Sequence, residues 1–550
     1  MAILVGAIVL PGWIDWPTLG GWARLHALSL VLFTVGAGIA VVGGWMLRGD
    51  RKRHNQQPGM SWWFVVGAAV VVVVVAWAAT SWLLGEAAVA KDAGAARVEA
   101  IKTGLGIGAG TTGIFALLLA VRRQWHNEVD AAEKNLTELY TKAADQLGSA
   151  EAPVRLAGLY ALERLAQDNA RQRQSIVNVV CAYLRMPHEP PGADRTAEVR
   201  LAAQRILADH LLPGRSAFWD HIDLDLTSAH LIHFNLGNCR MRNVRFSGAT
   251  FIGDAAFSGA TFTGDARFGG ATFTGNARFG VATFAGTAQF GEASFMGQAR
   301  FSGATFLRAA SFGSATFTES AQFGDTNFAD NAQFGDALFA DDAQFKKAKF
   351  EGNAGFANVS FTLRTAFRAA LFRGEARFHD TVFGRGAAFS GATFVGDARF
   401  RHATFSDGAE FDGVTFGHRA RFGSAAFAGC TRFDRTTFSD YAGFGRATFD
   451  GEARFDGAGF LAGAGFGGAT FAGDTGFETV TFTGRAEFGG ATFAGSARFD
   501  GTAFNHSILF DGATFNGETG FAGATLSGNL AFAPWRGRRH ADLPSEAFRG

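Results

Sequence analysis

Cysteine is nearly missing from this 550-residue sequence. Cys181, Cys239 and Cys430 are too few and too scattered for a disulfide framework, which agrees with a reducing compartment. Net charge is nearly missing as well, with 50 Lys and Arg against 49 Asp and Glu. Such a balance excludes a molecule built on one strong field. Catalytic constellations are absent: no Ser/His/Asp set, Cys/His pair or phosphate loop stands in a credible context. The thirteen histidines are scattered, and the densest group, His221, His230 and His233 near Cys239, has poor spacing for zinc. No catalytic, cofactor or metal residue is assigned, and the chain is expected not to be an enzyme.

Charge is also missing from three apolar runs, Leu25 to Leu47, Trp62 to Leu84 and Thr103 to Val121. Each has about twenty residues, enough to span a bilayer. Arg48, Arg51, Lys52 and Arg53 follow the first run, and Arg122 and Arg123 follow the third. These flanks put the N-terminus outside and everything after Arg122 in the cytoplasm. The third run holds Gly108-Ala109-Gly110-Thr111-Thr112-Gly113, a formal dinucleotide-binding fingerprint, but no strand precedes it. Its glycines suit close helix packing in lipid instead.

What the sequence has in abundance is phenylalanine on a fixed period. From Phe246 to Phe532 it recurs every eleven residues, twenty-seven times; a second series follows five residues later from Phe251 to Phe515. Together they use 52 of the 58 phenylalanines. Upstream, Leu226, Leu231, Leu236, Met241 and Phe246 are five apart. A helix is excluded, because residues five apart point roughly 140° away from each other and each unit carries glycines that cost roughly 1 kcal/mol apiece in a helix. Steps of five, six, five and six instead make four short sides and four corners, and two successive Phe periods close one coil. Adjacent coils about 4.8 Å apart give a rod roughly 65 Å long, stabilised by stacking because one coil cannot bury its own rings.

These residues resemble the pentapeptide-repeat family: a small residue two places before each Leu or Phe, with small or polar residues after it. Leu226 to Phe246 follows that rule directly, and the remainder is similar to a Phe-rich variant with an extra residue in alternate steps. The resemblance implies an all-β, right-handed quadrilateral β-helix, here preceded by α-helical transmembrane and linker segments. The expected organisation is a membrane region over 1–123, a cytoplasmic α-helical segment over 124–215, the solenoid over 216–535 and a tail over 536–550.

The helical segment is predicted as four helices, about Asn127 to Gln146, Ala152 to Gln167, Arg171 to Leu184 and Asp194 to Leu211. The stretch Val154 to Glu163 looks like an armadillo or HEAT element, which would bind protein; the alternative is a spacer that covers the first coil. A cover is required at both ends, since an open β-helix exposes unpaired strand edges. Trp535, Arg536, Arg538 and Arg539 are candidates at the far end.

Arginine recurs just before Phe of the first series, and Arg377, Arg399, Arg421, Arg432 and Arg454 form the candidate interaction surface. Arg377, Arg399 and Arg421 are one coil apart and are expected to stack in one ladder, balanced in part by Glu375 and Asp397. The expected partners are a lipid bilayer and an unidentified protein, with no small-molecule substrate. Some pentapeptide-repeat proteins mimic duplex DNA and protect topoisomerase; that alternative needs an acidic rod, and the near-neutral balance here argues against nucleic-acid mimicry.

Overall fold

The computed structural model describes Val74, Trp77 and residues 79–85, 92–186, 194–527, 530–531 and 536–537. The chain divides into two compact units, residues 1–138 and 139–550. In the first lies most of α1 (Ala93–Leu147), a 55-residue helix that ends where Gly148 follows. It is far longer than the expected helix from Asn127 to Gln146, because the run Thr103 to Val121 and the charged residues after it are continuous in it. The dinucleotide-like fingerprint therefore lies within a helix, with no strand before it among the described residues.

The expectation of a spanning helix over Thr103 to Val121 is corrected here. Among the described residues no helix is long and apolar enough to cross a membrane. The run Leu25 to Leu47 and most of Trp62 to Leu84 lie outside the described residues. The run Thr103 to Val121 is helical, but five glycines and three threonines interrupt it, and charged helix flanks it on both sides.

The second unit opens with α2 (Ala152–Asp168), a short 3₁₀ turn (Ala170–Gln172), α3 (Arg173–Arg185) and α4 (Asp194–Leu211). The buried stripe of α2 is Gly158, Leu159, Leu162 and Ala166, while Val154 is exposed. Gly158 is where α2 crosses the end of α1: a Cβ there would lie 2.7 Å from the Ala143 carbonyl oxygen.

From Leu224 the chain winds into four parallel sheets of 15, 15, 13 and 14 strands, nearly all two residues long. We number the faces in the order the chain passes them around a coil, with first strands Leu224–Asp225 on face 1, His230–Ile232 on face 2, Ala255–Ala256 on face 3 and Arg240–Met241 on face 4; Asn235 already bridges to Ala256 on face 3. Consecutive strands of one face are separated by a full coil. Ala277 pairs with Ala299 and Phe284 with Phe306, so that each residue lies against its counterpart two Phe periods later. The first coil is two positions shorter, with Leu224 on Val244 and Leu231 on Phe251, as the upstream steps of five require.

Ala and Phe face inward, and the rings are fully buried along the rod. They form four columns. Phe268 stacks on Phe290 at 4.8 Å and 4°, and Phe273 on Phe295 at 4.8 Å and 3°. The two first-series columns also interlock edge-to-face, Phe268 against Phe279 at 5.4 Å and 87°. Each ring thus meets its copies face to face, offset, and its cross-coil neighbours by the edge, the two arrangements that the ring quadrupole favours.

The two step lengths make two kinds of corner. A five-residue step closes a type II turn, with Ala271 N–H donating to Phe268 O at 3.0 Å and Gly270 at φ +64. That third position has positive φ at each such turn, including non-glycine residues such as Val281 and Thr479. The six-residue step leaves one more backbone N–H to satisfy, and Asp or Asn does so from the coil before. Asp254 accepts from Asn276 N–H at 3.0 Å, and Asn276 accepts from Gln298 N–H at 3.1 Å. These polar ladders explain how alternate steps tolerate a sixth residue. Glycine is required at Gly275 because a Cβ would approach the Gly253 carbonyl carbon to 2.6 Å.

At four inward positions where Thr replaces Ala, its hydroxyl finds a partner. Thr326, Thr381, Thr436 and Thr502 donate to the carbonyls of Phe301, Phe356, Phe411 and Phe477. Burial without such a bond would cost about 1–3 kcal/mol.

Candidate interaction surface

The outward positions of the strands define what the rod can touch. On faces 1 and 3 they alternate between Arg, Gln, Glu and small residues; on faces 2 and 4 they are mostly Thr, Ser and aliphatic. Arg377, Arg399 and Arg421 are register neighbours on face 1. Arg432 and Arg454 are register neighbours on face 3, so the five candidates form two ladders on opposite sides of the coil.

Carboxylates bind both ladders. Glu375 holds Arg377 at 2.5 Å and also pairs with Arg399, and Asp397 holds Arg421 at 3.2 Å. Arg432 meets Glu410 at 3.2 Å and Asp412 at 3.3 Å; Arg454 meets Asp456 at 3.2 Å. Burial raises the pKa of Glu375, but the hydrogen bonds and charges of Arg377 and Arg399 outweigh it and hold the carboxyl below its ordinary value. These are half-exposed pairs worth up to about 1 kcal/mol each. Their main effect is to relieve the repulsion of stacked guanidiniums.

A carboxylate ladder that sequence reasoning missed runs beside face 3: Asp412, Asp434, Asp456, Glu478 and Asp500, each one coil from the next. Asp434 accepts from Asp456 N–H at 3.2 Å, and Asp456 accepts from Glu478 N–H at 3.1 Å. Burial, despite nearby Arg454, and then Asp456 and Asp412 push the Asp434 carboxyl above its ordinary value. The one-coil spacing of these carboxylates was the available signal. On the same face, Arg364, Gly386, Gly408 and Cys430 replace the Asp or Asn of one six-residue corner, and an open hollow of about 570 Å³ lies over Ala366 and Ala388.

The helices cover the first coil through two glutamines. Gln174 on α3 donates to Asp223 O and accepts from Asp223 N–H, both at 2.9 Å. Gln204 on α4 donates to Ile232 O at 2.8 Å and accepts from Ile232 N–H at 3.0 Å. A primary amide offers one donor and one acceptor side by side, so each glutamine stands where a further strand would pair. Arg200 adds bonds to Leu184 O at 2.5 Å and His230 O at 2.9 Å. Trp219 closes the seam, stacked on His210 at 3.9 Å with its indole N–H on Gln167 at 2.9 Å. Burial pushes the Cys181 and Cys239 thiols up to about 12, so both stay protonated beneath this cover. The candidates for the far end, Trp535, Arg538 and Arg539, lie outside the described residues.

His221 is an exposed residue with positive φ, and His230 faces solvent at the start of face 2. Among the described residues no group of three or more His, Cys, Asp or Glu is placed to hold a metal ion.

A family model described as "Pentapeptide repeats (9 copies)" matches overlapping stretches within residues 236–349 and 367–459. Over those stretches the rod is similar to pentapeptide-repeat solenoids. Its Phe-rich interior and alternating corners run on beyond the matched stretches to Phe515 with the same register. No curated protein and no solved structure matches the chain. Among the described residues the large surface of the rod is the outer one, and its four faces differ in charge.

Proposed function

We propose that the chain is a non-enzymatic scaffold whose pentapeptide-repeat rod presents flat faces to protein partners, tethered at the inner face of a membrane. The observation that carries the scaffold reading is the filled interior. Columns of buried phenylalanine leave no enclosed volume for a substrate along the rod, so recognition falls to the outer faces. The tether rests on the uncharged runs Leu25 to Leu47 and Trp62 to Leu84, and the cytoplasmic side on Arg122 and Arg123, which stand between those runs and the rod. The helical cover is read as part of the rod, since its polar side chains are committed to the first coil. The ladders of Arg377, Arg399 and Arg421 and of Arg432 and Arg454 add mixed charge that steers an encounter more than it binds.

Proximity labelling from the C-terminus in living cells tests this reading. Labelling of cytoplasmic membrane-associated proteins is expected; labelling confined to the opposite side of the membrane would overturn the topology. Recovery of a topoisomerase, and no membrane protein, in a pull-down from solubilised membranes would replace the scaffold with a regulator of a nucleic-acid enzyme.

A further inference from the structure

Face 2 differs from its neighbours in carrying almost no charge. Its outward positions run in two columns, Thr250 to Thr514 and Ile252 to Asn516, and Asp450 is their only ionisable residue. Face 4 has the same strand pattern but bears Lys349, Glu351 and Arg373 at its middle, the last two paired at 2.7 Å. The exposed aliphatic side chains of face 2 are also periodic. Ile252, Met296, Leu338 and Val382 are 38–48 % exposed and stand on every second coil. The coils between them carry hydroxyls: Thr272 with Thr274, Thr316 with Thr318, Ser360 with Thr362, Thr404 with Ser406. Ridges of aliphatic side chain about 10 Å apart therefore alternate with shallower hydroxyl rungs.

We propose that face 2 is the docking surface for a second copy of this chain, packed face to face about a two-fold axis. A charged partner would bury unpaired charge against a neutral sheet, at a cost of several kcal/mol per group. A second face 2 brings a single ionisable residue, Asp450. A one-coil offset seats the aliphatic ridges of each copy on the hydroxyl rungs of the other, and a two-fold axis makes that fit mutual. Thirteen rungs cover roughly 60 Å by 10 Å, about 600 Å² per copy, which places the pair near the lower end of stable interfaces at about 1,200 Å².

Light scattering and sedimentation of the full chain test this, using Leu338→Lys with Val382→Lys on face 2. Leu307→Lys with Val395→Lys on face 4 is the matched control, since those side chains are equally exposed. The wild-type chain and the face 4 variant are expected to be dimers at micromolar concentration. The face 2 variant is expected to dissociate, with affinity lowered about a hundredfold or more by the buried ammonium groups. Unchanged circular dichroism in both variants excludes misfolding as the cause, and a Ser360→Cys chain should form a disulfide-linked pair under oxidation. A monomeric wild-type chain, equal dissociation by the face 4 variant, or a face 2 variant that stays dimeric would each overturn the proposal, whatever becomes of the tether.

Discussion

Replacing Phe345 with alanine at the middle of the rod removes a ring held by six others. Phe323 and Phe367 stack on it at 4.9 and 4.7 Å, and Phe334 and Phe356 meet it edge-on at 5.5 and 5.4 Å. Phe339 and Phe350 complete the shell at 6.0 and 6.5 Å. A rigid stack relaxes little into the void, so the cost belongs at the upper end of the usual range for a buried aromatic, about 4–5 kcal/mol. In a solenoid that loss is felt by the affected coil and its immediate neighbours. Strand Ala343–Gln344 pairs with Ala321–Gln322 and Thr365–Ala366, so amides between about 321 and 367 are expected to exchange on the order of a thousandfold faster. Coils near Ala277 and Ala486 should keep their protection. Phe345→Leu should cost far less, since Leu226, Leu231 and Leu236 fill equivalent places in the first coil. Hydrogen exchange read by mass spectrometry decides the matter. A cost under about 1 kcal/mol, or a uniform loss of protection along the rod, would refute the reasoning.

Three further outcomes follow from the corners, the cover and the ladders. Val281 is 66 % exposed and held at φ +51, so Val281→Gly should raise stability by about 1 kcal/mol in urea melts. Gln174→Leu with Gln204→Leu strips four hydrogen bonds from the first coil, and should cost about 2–6 kcal/mol there, read as faster exchange at Leu224 and Leu231. Asp434 carries a carboxyl raised above its ordinary value by burial and then by neighbouring carboxylates, so the fold loses stability as pH rises from the ordinary value through the raised one. Asp434→Asn should therefore stabilise the rod near neutrality and give no gain below the ordinary carboxylate range, as compared by denaturant melts at the two pH values.

The coil was legible because its cause is local and repeated. A Phe every five and then six residues fixes inward side chains, corner spacing and the coil-to-coil register without reference to anything distant. The five candidate arginines were legible one by one, but Arg432 and Arg454 are an odd number of half-coils from Arg377, and only the closed square shows that this puts them on the opposite face. The positive φ at Val281 and Thr479 was hidden because the stacked register overrides what either residue prefers by itself. Gln174 and Gln204 looked like ordinary polar helix positions. Their role depends on the docking of α3 and α4 onto strands 49 and 28 residues away, which no local pattern carries.

The half-coil symmetry of the rod also limits how its gene can change. Gain or loss of a whole turn adds or removes one storey and leaves every later side chain on its former side, so length can drift freely. Gain or loss of half a turn preserves the aromatic fill equally well but rotates everything downstream by half a revolution, exchanging opposite walls. Stability would barely register such an event, whereas any partner reading one wall would lose it at once.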